Sequence, residues 1–155
     1  MQKDSKNTGL IDTKPLPPYD GSEPYIYACY DFRDHQKVSG KIRRIQDLNY
    51  NVFYDDVESS LINLEEVLPR IDGCEAFIIF VSNNATSSDD VKGLFRYAIG
   101  EGKPMLSIYL EDESEIVMTS GWRYELLDIQ KIGKWSDDLK YPRHLAGAIE
   151  KMMEG

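Results

Sequence analysis

The chain has 155 residues, 29% of them charged, and a formal net charge of -9 at pH 7. This length predicts one domain around a single core, and the acidic balance argues against phosphate-backbone binding as the main role. The densest basic run, "KIRR" at residues 41–44, is interpreted as the solvated face of a helix.

The cysteines, Cys29 and Cys74, lie inside apolar runs, so we interpret them as buried thiols of a reducing compartment. They lack the spacing of metal ligands, and His35 and His144 are far apart, so no zinc motif can be written. The N-terminus has no apolar signal region, and the longest apolar run is too short to span a membrane. We therefore expect a soluble, cytoplasmic protein.

Residues 1–23 are polar and include "KPLPP", where prolines remove backbone donors, so we predict a flexible or extended arm there. A single domain is predicted over residues 24–155. Apolar and aromatic runs predict five strands, at residues 25–30, 51–54, 75–82, 104–110 and 126–132. Apolar residues at helical spacing predict four helices, over residues 34–48, 61–71, around 91–98 and 137–153. Pro69 and Gly73 are expected to help stop the second helix.

The alternation of strands and helices predicts parallel strands joined by right-handed crossovers, with helices on both faces. This is a flavodoxin-like three-layer α/β sandwich around a five-stranded parallel sheet. Ligands of such sheets gather at the carboxyl ends of the strands. Here those ends are polar, acidic and aromatic, in the runs "YDFRD", "YDDVESS" and "SNNATSSDD".

The strand ends carry no familiar catalytic motif. The sequence has no GxGxxG, no GxxxxGK[ST] and no GxSxG, so dinucleotide-binding, P-loop and hydrolase sites are not indicated. A phosphoacceptor site of response-regulator type could draw on the acids Asp31, Asp34, Asp55 and Asp56, but the third strand ends in "VSNN", without the acceptor acid. The alternative for these acids is helix capping and surface charge, with Asp34 placed to cap the first helix.

Four runs together point to a known family: "PYIYACYDFRD", "LNYNVFYDD", "CEAFIIFVSNNATSSD" and "KPMLSIYLED". Their order and spacing resemble a bacterial Toll/interleukin-1 receptor (TIR) domain from residue 24 to about residue 150. Members typically have a first strand ending in Ser-Tyr before an Asp, a second ending in aromatic-Tyr-Asp, and a third ending in Phe-x-Ser. The matching residues are Cys29 (in place of Ser), Tyr30, Asp34, Phe53, Tyr54, Asp55, Phe80 and Ser82.

The resemblance implies one of two activities. Some TIR domains assemble with each other or with a partner, and others cleave NAD at the nicotinamide–ribose bond with a glutamate of the third helix. That glutamate stands in a pattern like Ser-x-x-Cys-x-x-Glu-Leu, where its carboxylate can orient the ribose hydroxyls and stabilise a developing oxocarbenium charge. Aligned on this pattern, Val91 replaces the cysteine, Leu94 the glutamate and Phe95 the leucine.

Two further features bear on activity. The nearest carboxylate to Leu94 is that of Asp90, one helical turn earlier. The loop after the second strand (the BB loop) usually carries Pro-Gly or a glycine-rich turn, but here it reads "DDVESSLIN". Its expected partner-binding residues are Asp56, Val57, Glu58, Ser59 and Ser60.

The expected pocket residues are Cys29, Tyr30, Asp31, Phe32, Tyr54, Asp55 and Leu94. One hypothesis is a non-enzymatic TIR module that binds TIR domains, including its own copies, or another protein. Such a module could also hold NAD or a related nucleotide without cleaving it, in a setting such as bacterial anti-phage defence. The other hypothesis is an NAD glycohydrolase or cyclase with a displaced acid such as Asp90. The missing glutamate favours the first.

Overall fold

The computed structural model describes residues 14–55, 63–133 and 141–154, the last range without the side chains of residues 141 and 142. Its strands are β1 (Ile26–Cys29), β2 (Val52–Tyr54), β3 (Ala76–Val81), β4 (Met105–Tyr109) and β5 (Gln130–Ile132). They form one parallel five-stranded sheet in the order β2-β1-β3-β4-β5. The predicted flavodoxin-like α/β class is confirmed.

Helices follow the strands along the described chain. They are α1 (His35–Asp47), α2 (Leu64–Gly73), α3 (Asn83–Thr86), α4 (Asp89–Gly100), α5 (Ser120–Leu126) and α6 (Tyr141–Glu154). Short 3-10 turns cover Phe32–Asp34 and Glu113–Glu115. Helix α6 buries the four residues predicted to face inward, Leu145, Ala148, Ile149 and Met152.

The sheet separates two apolar clusters, because successive side chains of a strand point to opposite faces. Ile78 and Phe80 of β3 join the cluster with α1 and α6, which we call the α1/α6 cluster. Phe77 and Ile79 join the cluster with α2, α4 and α5, which we call the α4/α5 cluster. Burial on both faces explains why the central strands are continuous apolar runs in the amino-acid sequence.

Helix α2 differs from its prediction at both ends. Asn63 caps its start by accepting a hydrogen bond from the N–H of Glu65, so Leu64 lies in the first turn, where it is 54% exposed. Pro69 was expected to help stop the helix but lies inside it, and the helix continues to Gly73. The buried residues of this helix are Val67 and Ile71.

Helices α3 and α5 were not predicted. Only Trp122 and Leu126 are buried in α5, and two positions are too few to reveal a helical period. The strand predicted from residue 126 accordingly begins only at Gln130, because residues 120–126 are helical.

The described part of the predicted arm, residues 14–23, packs against the domain. The N–H of Tyr19 donates to the carbonyl oxygen of Val52 at 2.9 Å. Leu16 is hydrogen-bonded through its N–H and its carbonyl oxygen to Gln46 of α1, at 2.9 and 3.1 Å. The segment therefore covers the outer edge of β2, which would otherwise expose unpaired backbone groups. Residues 1–13 lie outside the described part of the chain.

Candidate functional site

A hydrogen-bonded network joins the carboxyl ends of β1 and β3. Asp34 is 1% exposed, and its Oδ2 accepts a hydrogen bond from Oγ of Ser82 at 2.5 Å. Its Oδ1 accepts another from Nδ2 of Asn84 at 2.8 Å. Ser82 Oγ also accepts from the N–H of Ala85 at 2.9 Å, as the cap of α3. Both oxygens of this buried carboxylate are thus satisfied inside the protein.

The prediction that Asp34 caps the first helix is wrong. Asp34 occupies the N-cap position of α1, but its side chain makes no capping hydrogen bond. Strands β1 and β3 are parallel neighbours that end at the same edge, so the carboxylate reaches Ser82 and Asn84 instead. The cap in this region belongs to Asp31, whose Oδ1 accepts from the N–H of Arg33 at 2.9 Å.

Asp31 and Arg33 form a bidentate ion pair next to this network. Arg33 Nε lies 2.8 Å from Oδ1 of Asp31 and Nη2 lies 3.1 Å from Oδ2. The hydrogen bond to Asp31 raises the pKa of the Arg33 guanidinium above its usual value. Nη2 also donates to the carbonyl oxygen of Asn84 at 3.1 Å, which ties the two strand ends together.

The expected pocket residues lie on two different faces of the sheet. Cys29 and Leu94 belong to the α4/α5 cluster. Tyr54 belongs to the α1/α6 cluster, and Tyr30 packs against that cluster. Alternation along β1 sends Cys29 and Tyr30 to opposite sides, so these residues do not line one pocket floor. Burial raises the pKa of the Cys29 thiol far above its ordinary value.

The two tyrosine hydroxyls make hydrogen bonds within the protein. Tyr30 donates to the carbonyl oxygen of Asp55 at 2.9 Å, and its hydroxyl lies 3.2 Å from Nδ1 of His35. Tyr54 donates to the carbonyl oxygen of Leu16 at 2.7 Å. Phe32 is only partly buried, and the Arg33 guanidinium lies 5.9 Å from its ring centre. Of the aromatic groups expected at the mouth, Tyr30 and Phe32 are partly buried and Tyr54 is buried.

Leu94 is 5% exposed and belongs to the apolar α4/α5 cluster. Beside it in that cluster, the rings of Phe95 and Trp122 stack with centroids 5.3 Å apart. Asp90 is exposed in the first turn of α4. A carboxylate at residue 94 would need a polar partner or water within this cluster, whereas that of Asp90 lies in solvent.

Asn83 holds the segment after β4 to α3. Its N–H and its Nδ2 donate to the two carboxylate oxygens of Glu111, at 2.8 and 2.9 Å. Its Oδ1 accepts from the N–H of Val117 at 2.7 Å. The carbonyl oxygen of Val117 accepts from Thr86 Oγ1, also at 2.7 Å. Residues 111–117 are therefore tethered at both ends by α3, while the Val117 side chain is 80% exposed.

The BB-loop residues, Asp56, Val57, Glu58, Ser59 and Ser60, lie outside the described part of the chain. Among the described residues, no group of three or more His, Cys, Asp or Glu side chains could hold a metal ion. None of the described helices has both the length and the apolar character needed to cross a bilayer.

No family model and no curated protein matches the chain. Among solved structures it is similar to the TIR domain of the Toll-related receptor TRR-2 from Hydra magnipapillata. That match has a TM-score of 0.61 and 15% identity, and covers 82% of this chain and 96% of the receptor domain. The chain has a TIR-like fold.

The TIR-like fold also resembles a Burkholderia pseudomallei protein described as pilus assembly-related. The TM-score is 0.51 at 12% identity, covering 88% of this chain and 93% of that one. At such identities the likeness concerns the fold alone. The predicted resemblance to TIR domains is confirmed at that level, and the assignment of Leu94 to the glutamate position rests on the sequence pattern.

Three polar residues that shape the strand-end site were absent from the predicted pocket: Ser82, Asn83 and Asn84. A signal for them was present, because "SNN" follows β3 just as "DFRD" follows β1. Polar residues after neighbouring parallel strands meet at one edge of the sheet. The neighbour relation itself requires the strand order, which the local sequence does not contain.

Proposed function

We propose that this TIR-like chain is an assembly module that acts through protein contacts and does not cleave NAD. The observation that carries the proposal is the burial of Leu94, which takes the position of the catalytic glutamate in the family pattern. A leucine side chain carries no charge and accepts no hydrogen bond. It therefore supplies neither the orientation of the ribose hydroxyls nor the stabilisation of a developing positive charge.

Three of the described acids near the strand ends support the same conclusion, because they are exposed or already engaged. Asp90 is exposed to solvent at the start of α4. Asp34 accepts hydrogen bonds on both carboxylate oxygens. Asp31 is bound by Nε and Nη2 of the Arg33 guanidinium. Either engaged acid would have to lose these partners before it could serve a substrate, which costs free energy.

The direct test is nicotinamide release from NAD by the purified chain, beside an Asp90→Ala variant. We expect both proteins to remain at the buffer background, even at high protein concentration and long incubation. Turnover by the wild type would contradict the proposal. If that turnover disappeared in Asp90→Ala, the loss would assign the chemistry to a displaced acid, which is the alternative hypothesis.

Two further variants separate a missing acid from a missing pocket. Leu94→Glu places a carboxylate at the family position, and Val91→Glu places one at another buried site of the same helix as a matched control. Release of nicotinamide by Leu94→Glu alone would support a pocket that lacks only its acid. The assembly role is tested separately by light scattering over a concentration series, where we expect the apparent mass to rise with concentration.

A further inference from the structure

The outer edge of β2 and the C-terminal end of α1 form a groove that residues 14–20 occupy. We call this the β2 groove and residues 14–20, "KPLPPYD", the N-terminal segment. The groove residues are Gln46, Asn49, Tyr50, Asn51, Val52 and Tyr54. β2 is an edge strand, so its side away from β1 can pair with an extended chain, and the N-terminal segment takes that place here.

The main contact of the groove is made to the peptide backbone at Leu16. Gln46 is 9% exposed, and its side-chain amide forms hydrogen bonds with both the N–H and the carbonyl oxygen of Leu16. Its Oε1 accepts from the N–H at 2.9 Å, and its Nε2 donates to the carbonyl oxygen at 3.1 Å. Tyr54 donates to the same carbonyl oxygen at 2.7 Å. This pairing copies the hydrogen bonds that a neighbouring strand would make.

Further contacts hold the segment on either side of Leu16. The N–H of Tyr19 donates to the carbonyl oxygen of Val52 on the free edge of β2, at 2.9 Å. Arg43 Nη1 donates to the carbonyl oxygen of Lys14 at 3.2 Å, and Arg70 pairs with Asp20 at 2.7 Å. The two residues between Leu16 and Tyr19 are prolines, which have no N–H to leave unpaired and restrict the free chain to extended conformations.

The side chains of the segment contribute less than its backbone. Leu16 is 50% exposed even though its backbone is held by three hydrogen bonds. A half-open pocket of about 260 Å³ is lined by the segment and the groove together. The segment is therefore not enclosed by the groove, and little apolar burial anchors it in place.

We propose that the β2 groove is a binding site for an extended, proline-containing peptide, and that its ligand in trans is the N-terminal segment of a second copy. Exchange of identical segments between two copies keeps every contact described above. Its main cost in free energy is that each segment is no longer tethered to the groove it binds, so its effective concentration there is lower. The proposal rests on the assembly role proposed above only for the choice of a second copy as partner.

The test uses a fluorescent peptide with the sequence of residues 14–21 and measures its anisotropy with the full chain. In a Leu16→Pro chain the tethered segment lacks the N–H that Gln46 binds, so it competes less with the added peptide. We expect the peptide to bind Leu16→Pro at least about tenfold more tightly than wild type, because binding is reduced by the fraction of grooves already occupied.

Matched substitutions in the Leu16→Pro background place the peptide in the groove. Gln46→Ala should abolish binding, and Tyr54→Phe, which removes only a hydroxyl, should weaken it several-fold. Gln36→Ala changes an exposed glutamine of the same helix and should leave binding unchanged. If circular dichroism shows that Leu16→Pro is misfolded, Pro17→Gly with Pro18→Gly replaces it, because added backbone entropy also loosens the tethered segment.

A folded Leu16→Pro chain that fails to bind the peptide overturns the proposal, and so does equal binding after Gln46→Ala. Light scattering then tests the partner. Association of the otherwise wild-type chain should be lost in Gln46→Ala and retained in Gln36→Ala. If the Gln46→Ala chain still associates, segment exchange is overturned, but the proposed assembly role is not. NAD turnover would overturn the proposed absence of NAD cleavage and leave the peptide result unchanged.

Discussion

The hydroxyl of Ser82 donates a hydrogen bond of 2.5 Å to Oδ2 of Asp34, which lies 48 residues earlier in the chain. Both side chains are almost completely buried, at 0% and 1% exposure. Together with Asn84, this contact fixes the turn after β1 against the start of α3. In a poorly solvated site, such charge-assisted hydrogen bonds are stronger than neutral ones, and leaving any member unpaired is costly.

Asp34→Ala should therefore lower the free energy of unfolding by about 1–3 kcal/mol, because Ser82 and Asn84 lose an acceptor. The control is Asp47→Ala, since the Asp47 side chain is 58% exposed in its pair with Arg43. That change should cost less than about 1 kcal/mol. Urea denaturation of the three proteins measures both values, and equal midpoints for the two variants would contradict the structural role of Asp34.

Leu94→Ala should destabilise the chain by about 2–5 kcal/mol, because it removes a buried side chain and leaves a cavity in the α4/α5 cluster. Leu127→Ala serves as the control, since Leu127 is 76% exposed and its loss should stay within about 0.5 kcal/mol. Thermal and urea unfolding give the comparison. A loss no larger than that of the control would show that Leu94 does not pack in the core.

The buried thiols should make the chain less stable as pH rises above 9. Burial raises the pKa of the Cys74 thiol from its ordinary value of 9.0 to about 11. The unfolded chain therefore loses the thiol proton first, and the folded state binds more protons between pH 9 and 11. Stability is fully present below pH 9 and falls through this window, with a slope of at most about 1.4 kcal/mol per pH unit for one thiol.

The measurement compares urea midpoints from pH 8 to pH 11 in the wild type and in Cys74→Ala, so that titrating tyrosines contribute equally to both. The variant starts from a lower stability but should show a shallower fall with pH. Parallel curves for the two proteins would mean that the Cys74 thiol ionises equally easily in the folded and unfolded chains.

Asn83→Ala should loosen the attachment of residues 111–117 to α3, because the side chain binds both Glu111 and the N–H of Val117. We expect amide hydrogen exchange at Val117 to accelerate by more than tenfold, measured by mass spectrometry of peptides over this segment. Asn51→Ala is the matched control, since its amide donates to the carbonyl oxygen of Pro24 instead. Unchanged exchange at Val117 in Asn83→Ala would show that the tether is not needed.

The central strands were predictable because a strand covered on both faces must be apolar at nearly every position. The run "AFIIFV" is apolar at every position, and all six of its residues are buried in β3. The inward face of α6 was equally visible as a helical period. Helix α5 was hidden because only Trp122 and Leu126 are buried in it. The apolar pattern therefore revealed only those strands and helices that are long enough for the pattern to repeat.

By itself the sequence determined the apolar strands, their alternation with helices and the absence of an acid at Leu94, because each is a property of consecutive residues. Only the tertiary structure decided that Asp34 binds Ser82 and that Gln46 binds Leu16, 30 residues away. These contacts depend on which strands are neighbours and on which edge is left free. The strand order and the free edge are set only when the whole chain packs, because a side chain can bind only a group that folding brings within hydrogen-bonding distance.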